Sequence, residues 1–567
     1  MTFEKRTGLV ERETSAEDVV VAYHERIKHR FYRYAAALGL DWATQPDPFR
    51  RFEGAAEMPL VLGDDDGTPA YDKLYQPGAI PPQPVTAQSI GHLFYYSMAV
   101  SGWKQVQSTR WAVRVNPSSG NLHPTESYLL VADVKGVSDE PCLFHYAPKA
   151  HLLEKRATFD GGVWAGLTES LPPGAFFVAL SSIFWRESWK YGERAYRYCQ
   201  LDLGHALGAL RLAAALLGWR LWALPTVNDG QLAKLMGVDR DDAWHKDEPE
   251  APDLLIVVTP RGETPNVAGY RPPDELFDQA AAGQWFGRAN RLSRDHHPWD
   301  AINIVEATCR TTAEGLSGLA LAQTQIATND AASSIMPGPC ALSAGRILRQ
   351  RRSGLEMDGV TGMNRDRFYA LLARLVPALC PVPWDAVTWS VLTHLGLFVH
   401  RVEGLAPGLY VLVRDAAALD KLRAAMHGEF LWQRPQGCPQ PLDLYFLKEG
   451  NCQRLAARIS CDQTLAGNGV FSLGMFVAFD RALAMCGAPI YRHLYWETGV
   501  IGQVLYLEAE AAGLRGTGIG CFFDDPVHEA FGLTDTAFQS FYHFAVGGPV
   551  EDSRIASQPA YPDHDSR

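Results

Sequence analysis

Val115-Asn-Pro-Ser-Ser-Gly-Asn-Leu-His-Pro-Thr-Glu126 runs into the apolar stretch Tyr128–Val131. Pro117, Ser118, Ser119, Gly120 and Asn121 each have a local reason to leave regular structure: a fixed φ, a side chain that bonds nearby backbone, or tolerance of left-handed φ. Two hydroxyls, an amide and free backbone N–H groups within five positions can hydrogen-bond the edge of a planar polar ring. His123, Pro124 and Glu126 then lead into a run that predicts a buried strand. A polar loop before a strand is the plain alternative, because Ser/Gly/Asn loops are common.

Pro-Ser-Ser-Gly-Asn-Leu-His-Pro-Thr-Glu resembles the flavin-contacting loop of the nitroreductase superfamily. More narrowly it is similar to the SagB/ThcOx-type branch, which includes azoline dehydrogenases of peptide natural products. The resemblance implies that this loop reaches an FMN whose phosphate is held by the other half of a dimer. A phosphate site is then expected elsewhere in the chain.

The chain has 567 residues, 47% hydrophobic and 20% charged, with mean hydropathy −0.13. That is an ordinary globular composition. A net charge of −12 and pI near 5.8 argue against nucleic acid or an anionic membrane as main partner. No secretory signal or transmembrane run stands out, so a cytoplasmic protein is expected. The ten cysteines form no Cys-x-x-Cys and no zinc spacing, and read as reduced thiols used mostly in packing.

Ala16 to Leu38 predicts a helix capped by Ser15, with His24, Lys28 and His29 on a solvated face. Asp41–Arg50, with two prolines, predicts an ordered non-helical linker. This N-terminal part also resembles longer members of the family. Gln88–Ser101 predicts a helix, Phe176–Ser181 a strand, Leu201–Leu217 a helix ended by Gly218, and Trp222–Val227 and Asp253–Thr259 further strands. The stretch Pro265–Trp299, rich in Pro, Gly and charge, predicts the connection between lobes. Beyond it come a long apolar, small-residue stretch, the segment Ser343–Ser353, a helix over Arg365–Leu375, and a hairpin into a strand over Phe398–Tyr410.

A shift of 295 residues lays Ala195–Asp239 on Ile490–Thr534 without a gap. Tyr196 and Arg197 fall on Tyr491 and Arg492, Gly204 on Gly499, Gly218 on Gly513, Asp229 on Asp524 and Gly237 on Gly532. Shared helix-ending glycines and a shared helical stripe predict two copies of one helix–strand unit. The copies differ where a ligand would approach backbone. Gly516, Gly518 and Gly520 of the second copy stand against Leu221, Ala223 and Pro225 of the first. Only the first has the Pro-Ser-Ser-Gly-Asn loop; only the second has Arg351-Arg352-Ser353.

Arginine forks match phosphate oxygens in pairs, so Arg351, Arg352 and Ser353 predict the phosphate contact. Gly547-Gly548 with Arg554 resembles the family's C-terminal phosphate contact, while acidic Glu356 departs from the commoner Arg-x-Ser-x-Arg form. The expected cofactor site is therefore divided. Pro117, Ser118, Ser119 and Asn121 come from one lobe, and Arg351, Arg352, Ser353, Gly518, Gly520 and Arg554 from the other. Lys190, Tyr191, Tyr196 and His205 are the candidate catalytic residues, the first two because azoline dehydrogenases use a Lys–Tyr pair. Tyr196 and Arg197, present in both copies, also suit a structural role, and His205 suits packing.

The expected fold is α+β: two nitroreductase-like lobes fused as a pseudodimer within one chain, an arrangement compatible with a monomer. The boundaries are an N-terminal helical extension at 1–63 and lobes at 64–299 and 300–567. The expected function is an FMN-dependent oxidoreductase acting on a peptide azoline or other small natural-product intermediate. A flavin-binding but catalytically silent scaffold within a biosynthetic complex is the alternative. No metal site is expected.

Overall fold

The computed structural model describes residues 14–34, 39–261, 263–312, 340 and 342–562. Much of the small-residue stretch before Ser343, and the predicted helical positions 35–38, lie outside them. Two antiparallel sheets organise these residues. The main path of the first runs Gln284–Trp285, Leu152–Thr158, Cys142–Ala147, Thr125–Val131, Phe176–Ser182, Ala251–Thr259, Arg220–Ala223. The second runs Leu444–Glu449, Gly408–Leu412, Thr393–Val399, Phe471–Val477, Gln539–Gly547, Arg515–Ile519. The central strands of both are buried at every position. Helices therefore cover both faces, and unbroken apolar runs such as Phe176-Phe-Val-Ala-Leu180 replace the alternation of a half-solvated strand.

The repeat is longer in the structure than in the sequence. Matching elements begin at 176 and 471, 184 and 479, 195 and 490, and 229 and 524, each an offset of 295. Both 22-residue helices, Ala195–Leu216 and Ile490–Ala511, are buried almost end to end and pack on each other. Glycine sets their crossing. A methyl group on Gly204 would lie 2.8 Å from Trp496 Cα and 2.9 Å from Gly499 Cα, and one on Gly499 would lie 2.8 Å from Gly204 Cα. Only hydrogen on both residues lets the backbones come this close.

The contact is isologous, so each position meets its counterpart's partner in both directions. Arg197 pairs with Asp524 at 3.1 Å and Arg492 with Asp229 at 2.7 Å, all four buried. Tyr196 and Tyr491 face each other with rings 8° from parallel and centroids 6.2 Å apart. Burial of such pairs is tolerable because each charge has a partner in fixed geometry.

The N-terminal helix spans Ala16–Arg26 and stops at Ile27, well short of Leu38. The expected solvated face is buried instead: His24, Lys28 and His29 are 2%, 5% and 2% exposed. Asp524 and Asp525, nearly 500 residues away, are the reason. Asp524 accepts from the His29 backbone N–H at 3.2 Å, and Asp525 pairs with Lys28 at 3.3 Å. The predicted 88–101 helix ends at Tyr95, and the chain turns into the strand Val100–Val106. The strand predicted over 222–227 is confined to Arg220–Ala223.

Candidate functional site

The loop at Ser118–Asn121 is held from beneath by the first crossing helix. Asp202 accepts from the Ser119 backbone N–H at 3.0 Å and from its hydroxyl at 3.1 Å. The Ser118 hydroxyl accepts from the His123 N–H at 2.7 Å, and the Asn121 amide donates to the Ala112 carbonyl at 2.7 Å. Gly120, Asn121 and His123 all have left-handed φ, of 59°, 60° and 53°. Those angles turn the chain sharply enough to leave Gly120 exposed at the tip while Pro117 is buried. Arg186 fastens the loop's far end, donating to the His123 carbonyl at 2.7 Å and pairing with buried Glu126.

Helix Phe184–Tyr191 brings Lys190 and Tyr191 to that tip. A methyl group on Gly120 would lie 2.5 Å from Tyr191 Oη and 3.1 Å from Lys190 Nζ. Lys190 Nζ sits 5.3 Å from the Tyr191 ring centroid, and Tyr191 packs on Tyr198 at 4.5 Å. Tyr198, Asp202 and His205 follow at helical spacing on one face of the crossing helix. From the second half, Gly518 and Gly520 come up against these groups. The space beside Gly518 is filled by the Tyr542 phenol, and that beside Gly520 by the Tyr198 ring. The Gly520 carbonyl accepts from Arg194 at 2.9 Å and from Tyr198 Oη at 3.1 Å.

The contacts close a ring. Arg351 donates to the carbonyls of Arg114 and Val115, where the loop begins, and lies 5.0 Å from the Tyr506 ring centroid. Tyr506 Oη accepts from the Gly518 N–H at 2.9 Å and bonds the Ser353 hydroxyl at 2.9 Å. Tyr542, seated on Gly518, bonds His205 at 3.1 Å. One turn before His205 stands Asp202, and Asp202 returns to Ser119. Pro117, Ser118, Ser119, Asn121, Lys190, Tyr191, His205, Arg351, Ser353, Gly518 and Gly520 thus gather on one ring of elements from both halves.

Of the three other expected residues, Arg352 lies beside the ring, donating to the carbonyls of Arg349, Arg351 and Ser101, and two stay outside it. Tyr196 packs on Phe184, Tyr491 and Tyr23 between the halves, which is the structural role its duplication suggested. Arg554 pairs with Asp552 at 2.7 Å with its side chain 81% exposed, because a carboxylate two residues away takes the guanidinium. Asp202, Glu187, Tyr198, Tyr506 and Tyr542 belong to the ring without having been singled out. An aspartate between leucines, in Leu201-Asp202-Leu203, was the available signal: a charge inside a buried helix needs a purpose.

Burial dominates the electrostatics. It pushes the Asp202 carboxyl up to about 7, opposed by the hydroxyls of Ser118 and Ser119 and the Ser119 N–H. Glu187 is pushed well above the carboxylate range by burial and by Asp202, and neither of its oxygens makes a hydrogen bond of ordinary geometry. His205 is pushed down to about 3 by burial, so it is neutral.

A family cofactor with a phosphate can be tested against these residues. Lys104, Arg349, Arg351, Arg352 and Arg515 lie together. Glu510 pairs with Arg515 at 2.5 Å and Asp65 with Arg349 at 3.6 Å. Among the described residues neither Arg351 nor Arg352 has a carboxylate within 4 Å. Burial, then Arg351 and Arg349, push Arg352 down to about 9. A cluster of cations short of anions, beside a hydroxyl and a glycine strand, fits a phosphate dianion. Among the described residues no group of three metal-ligating side chains forms, and no helix is long and apolar enough to cross a membrane.

Mirror-related positions are built differently. Asp202 corresponds to Glu497, which is neutralised by Arg414 and accepts from the Leu392 N–H at 3.2 Å. Tyr198 corresponds to His493, which packs at 4.3 Å on Trp496 and at 5.0 Å on Trp389. Thr388 donates to the Ala223 carbonyl at 3.2 Å, closing over the strand Arg220–Ala223 that matches Arg515–Gly518. Indole rings fill this second place.

Residues 104–245 match the model of the nitroreductase family. The chain is 23% identical over 162 residues to the putative nitroreductase MJ1384 of Methanocaldococcus jannaschii, covering 27% of this chain and 76% of that protein. Its fold is similar to that of a putative nitroreductase from Anabaena variabilis, with a TM-score of 0.65 and 20% identity over 95% of this chain and 100% of that one. The loop and the helix that carries Asp202 therefore lie within the residues that match the nitroreductase-family model.

Proposed function

We propose that the chain is an FMN-dependent oxidoreductase of the SagB/ThcOx nitroreductase type, folded as a pseudodimer with a single cofactor site. The observation that carries this reading is the ring's asymmetry. Among the described residues loop, glycine strand and guanidinium cluster meet once, and the mirror-related place is packed with Trp389, Trp496 and His493. Arg351, Arg352 and Ser353 would hold the phosphate, the 117–121 backbone would face the ring system, and Gly518 and Gly520 would admit close approach. FMN, when bound, supplies two-electron chemistry at its N5.

The protein's own part is proton handling and exclusion of water. Lys190 and Tyr191, both half-buried at the exposed tip of the loop, are the groups placed to meet a substrate. Asp202 can hold or release a proton near neutral pH beneath Ser119, and His205 stays neutral and orients Tyr542. The substrate class is a peptide azoline or a related natural-product intermediate, an azoline being oxidised across the carbon–carbon bond of its ring.

An absorbance spectrum with flavin quantitation on purified protein tests the reading. One FMN per chain, reducible and turned over by an electron donor, is the expected result. Two per chain would defeat the single-site assignment. A yellow protein inert to every donor would make it a flavin-binding scaffold.

A further inference from the structure

Cys521 follows Gly520 at the rim of the ring, and the chain around Ile459–Gln463 runs beside it. The Phe523 N–H donates to the Ile459 carbonyl at 2.7 Å. The Gln463 amide donates both to the Ser460 carbonyl at 2.8 Å and to the Cys521 carbonyl at 3.0 Å. Cys461 and Cys521 each stand two residues from the Phe523–Ile459 bond, so they face each other across two closely apposed segments. Each thiol acts on the ionisation of the other, and both residues are half-buried rather than sealed in the core. Backbones this close suit the short Cα separation that a disulfide needs.

We propose that Cys461 and Cys521 are a redox pair that closes to a reversible disulfide by exchange with a low-molecular-weight disulfide such as oxidised glutathione. Neither the ring of groups described above nor the proposed flavin chemistry uses these thiols.

Cys521 is the attacking sulfur. The Arg194 guanidinium, which also holds the carbonyl of neighbouring Gly520, favours its thiolate against burial. Its thiolate attacks one sulfur of oxidised glutathione, forming a mixed disulfide and expelling one glutathione thiolate. Cys461, as it loses its proton, then attacks the Cys521 sulfur and expels the second glutathione. Two protein thiols are oxidised, one glutathione disulfide is reduced to two thiols, and the protons pass to the departing thiolates. The cross-link ties the segment at 459–463, and with it helix Gln453–Ile459, to the end of the glycine strand.

The test uses the full native chain treated with oxidised glutathione, then alkylated, digested and analysed by mass spectrometry. The expected result is a cross-linked peptide containing Cys461 and Cys521, loss of alkylation at both, and recovery of both after dithiothreitol. In Cys461→Ser, Cys521 should carry a stable glutathione adduct. In Cys521→Ser, Cys461 should react more slowly than Cys521 does in the first variant. Separate glutathione adducts on the two residues of the native chain would overturn the proposal. So would full alkylation of both after oxidation, or a cross-link that forms only in denaturant.

Discussion

Replacing Gly204 with alanine adds one methyl group where two 22-residue helices cross. Its nearest neighbours would be backbone atoms of Trp496 and Gly499, at 2.8 and 2.9 Å for the two Cα atoms. Carbon atoms rest at about 3.5–4.0 Å, so the helices must part by roughly 1 Å. Such a gap forfeits up to about half of each facing contact, worth ~0.1–0.2 kcal/mol apiece, over dozens of atom pairs. The sum is about 3 kcal/mol, within the usual range for overpacking. Alanine's better helix propensity returns about 1 kcal/mol, leaving a net loss of about 2 kcal/mol. Gly208→Ala on the same helix is the control. Its new methyl would meet Gln503 Cβ at 3.1 Å and Cγ at 3.2 Å, contacts that a shift of a few tenths of an ångström relieves. That variant should stay within about 1 kcal/mol of the parent. Urea unfolding followed by tryptophan fluorescence gives both midpoints. A Gly204→Ala midpoint equal to or above that of Gly208→Ala would refute the close-crossing argument.

Asp202→Asn should flatten the dependence of stability on pH. The folded carboxyl titrates near 7 and the unfolded one near ~3.9, so stability present below about 4 is lost as pH rises through about 7. Unfolding midpoints between pH 4 and 8 check this, and an unchanged slope in the variant would contradict it. Arg352→Ala should weaken FMN binding by about 2 kcal/mol through loss of a charge-assisted contact. A variant that remains fully yellow after dialysis would move the phosphate elsewhere. Gly520→Leu should abolish flavin binding by displacing Tyr198, whereas Pro225→Gly at the matching position should not. Spectra paired with melting curves separate flavin loss from misfolding, and the reverse pattern would exchange the roles of the halves.

Local chemistry made the loop and the repeat legible in the sequence. Turn residues at 117–121 demanded an excursion, and helix-ending glycines at 218 and 513 marked the same boundary twice. The structural register reaches back to Phe176 and Phe471, where apolar strands of similar character carry too little identity to align by eye. Interactions distant in sequence were not legible. Lys28 reads as solvated until Asp525 is placed beside it, and Arg554 reads as a phosphate ligand until Asp552 is seen to hold it. Asp202 was hidden for a related reason: besides the Ser119 hydroxyl, its partner is a backbone N–H, which any residue would supply.

The reciprocal pairs Arg197–Asp524 and Arg492–Asp229 bear on how such a molecule can vary. In an assembly of two identical chains every substitution enters twice, and a residue must suit both of the places it occupies. Here each of the four charges is written separately in the chain. Position 225 can be proline while position 520 remains glycine, and neither choice constrains the other. The pairs hold the two crossing helices in register, and a repeat carried within one chain leaves the positions around them free to differ. Trp389 and Trp496 can then pack on each other with no matching change elsewhere.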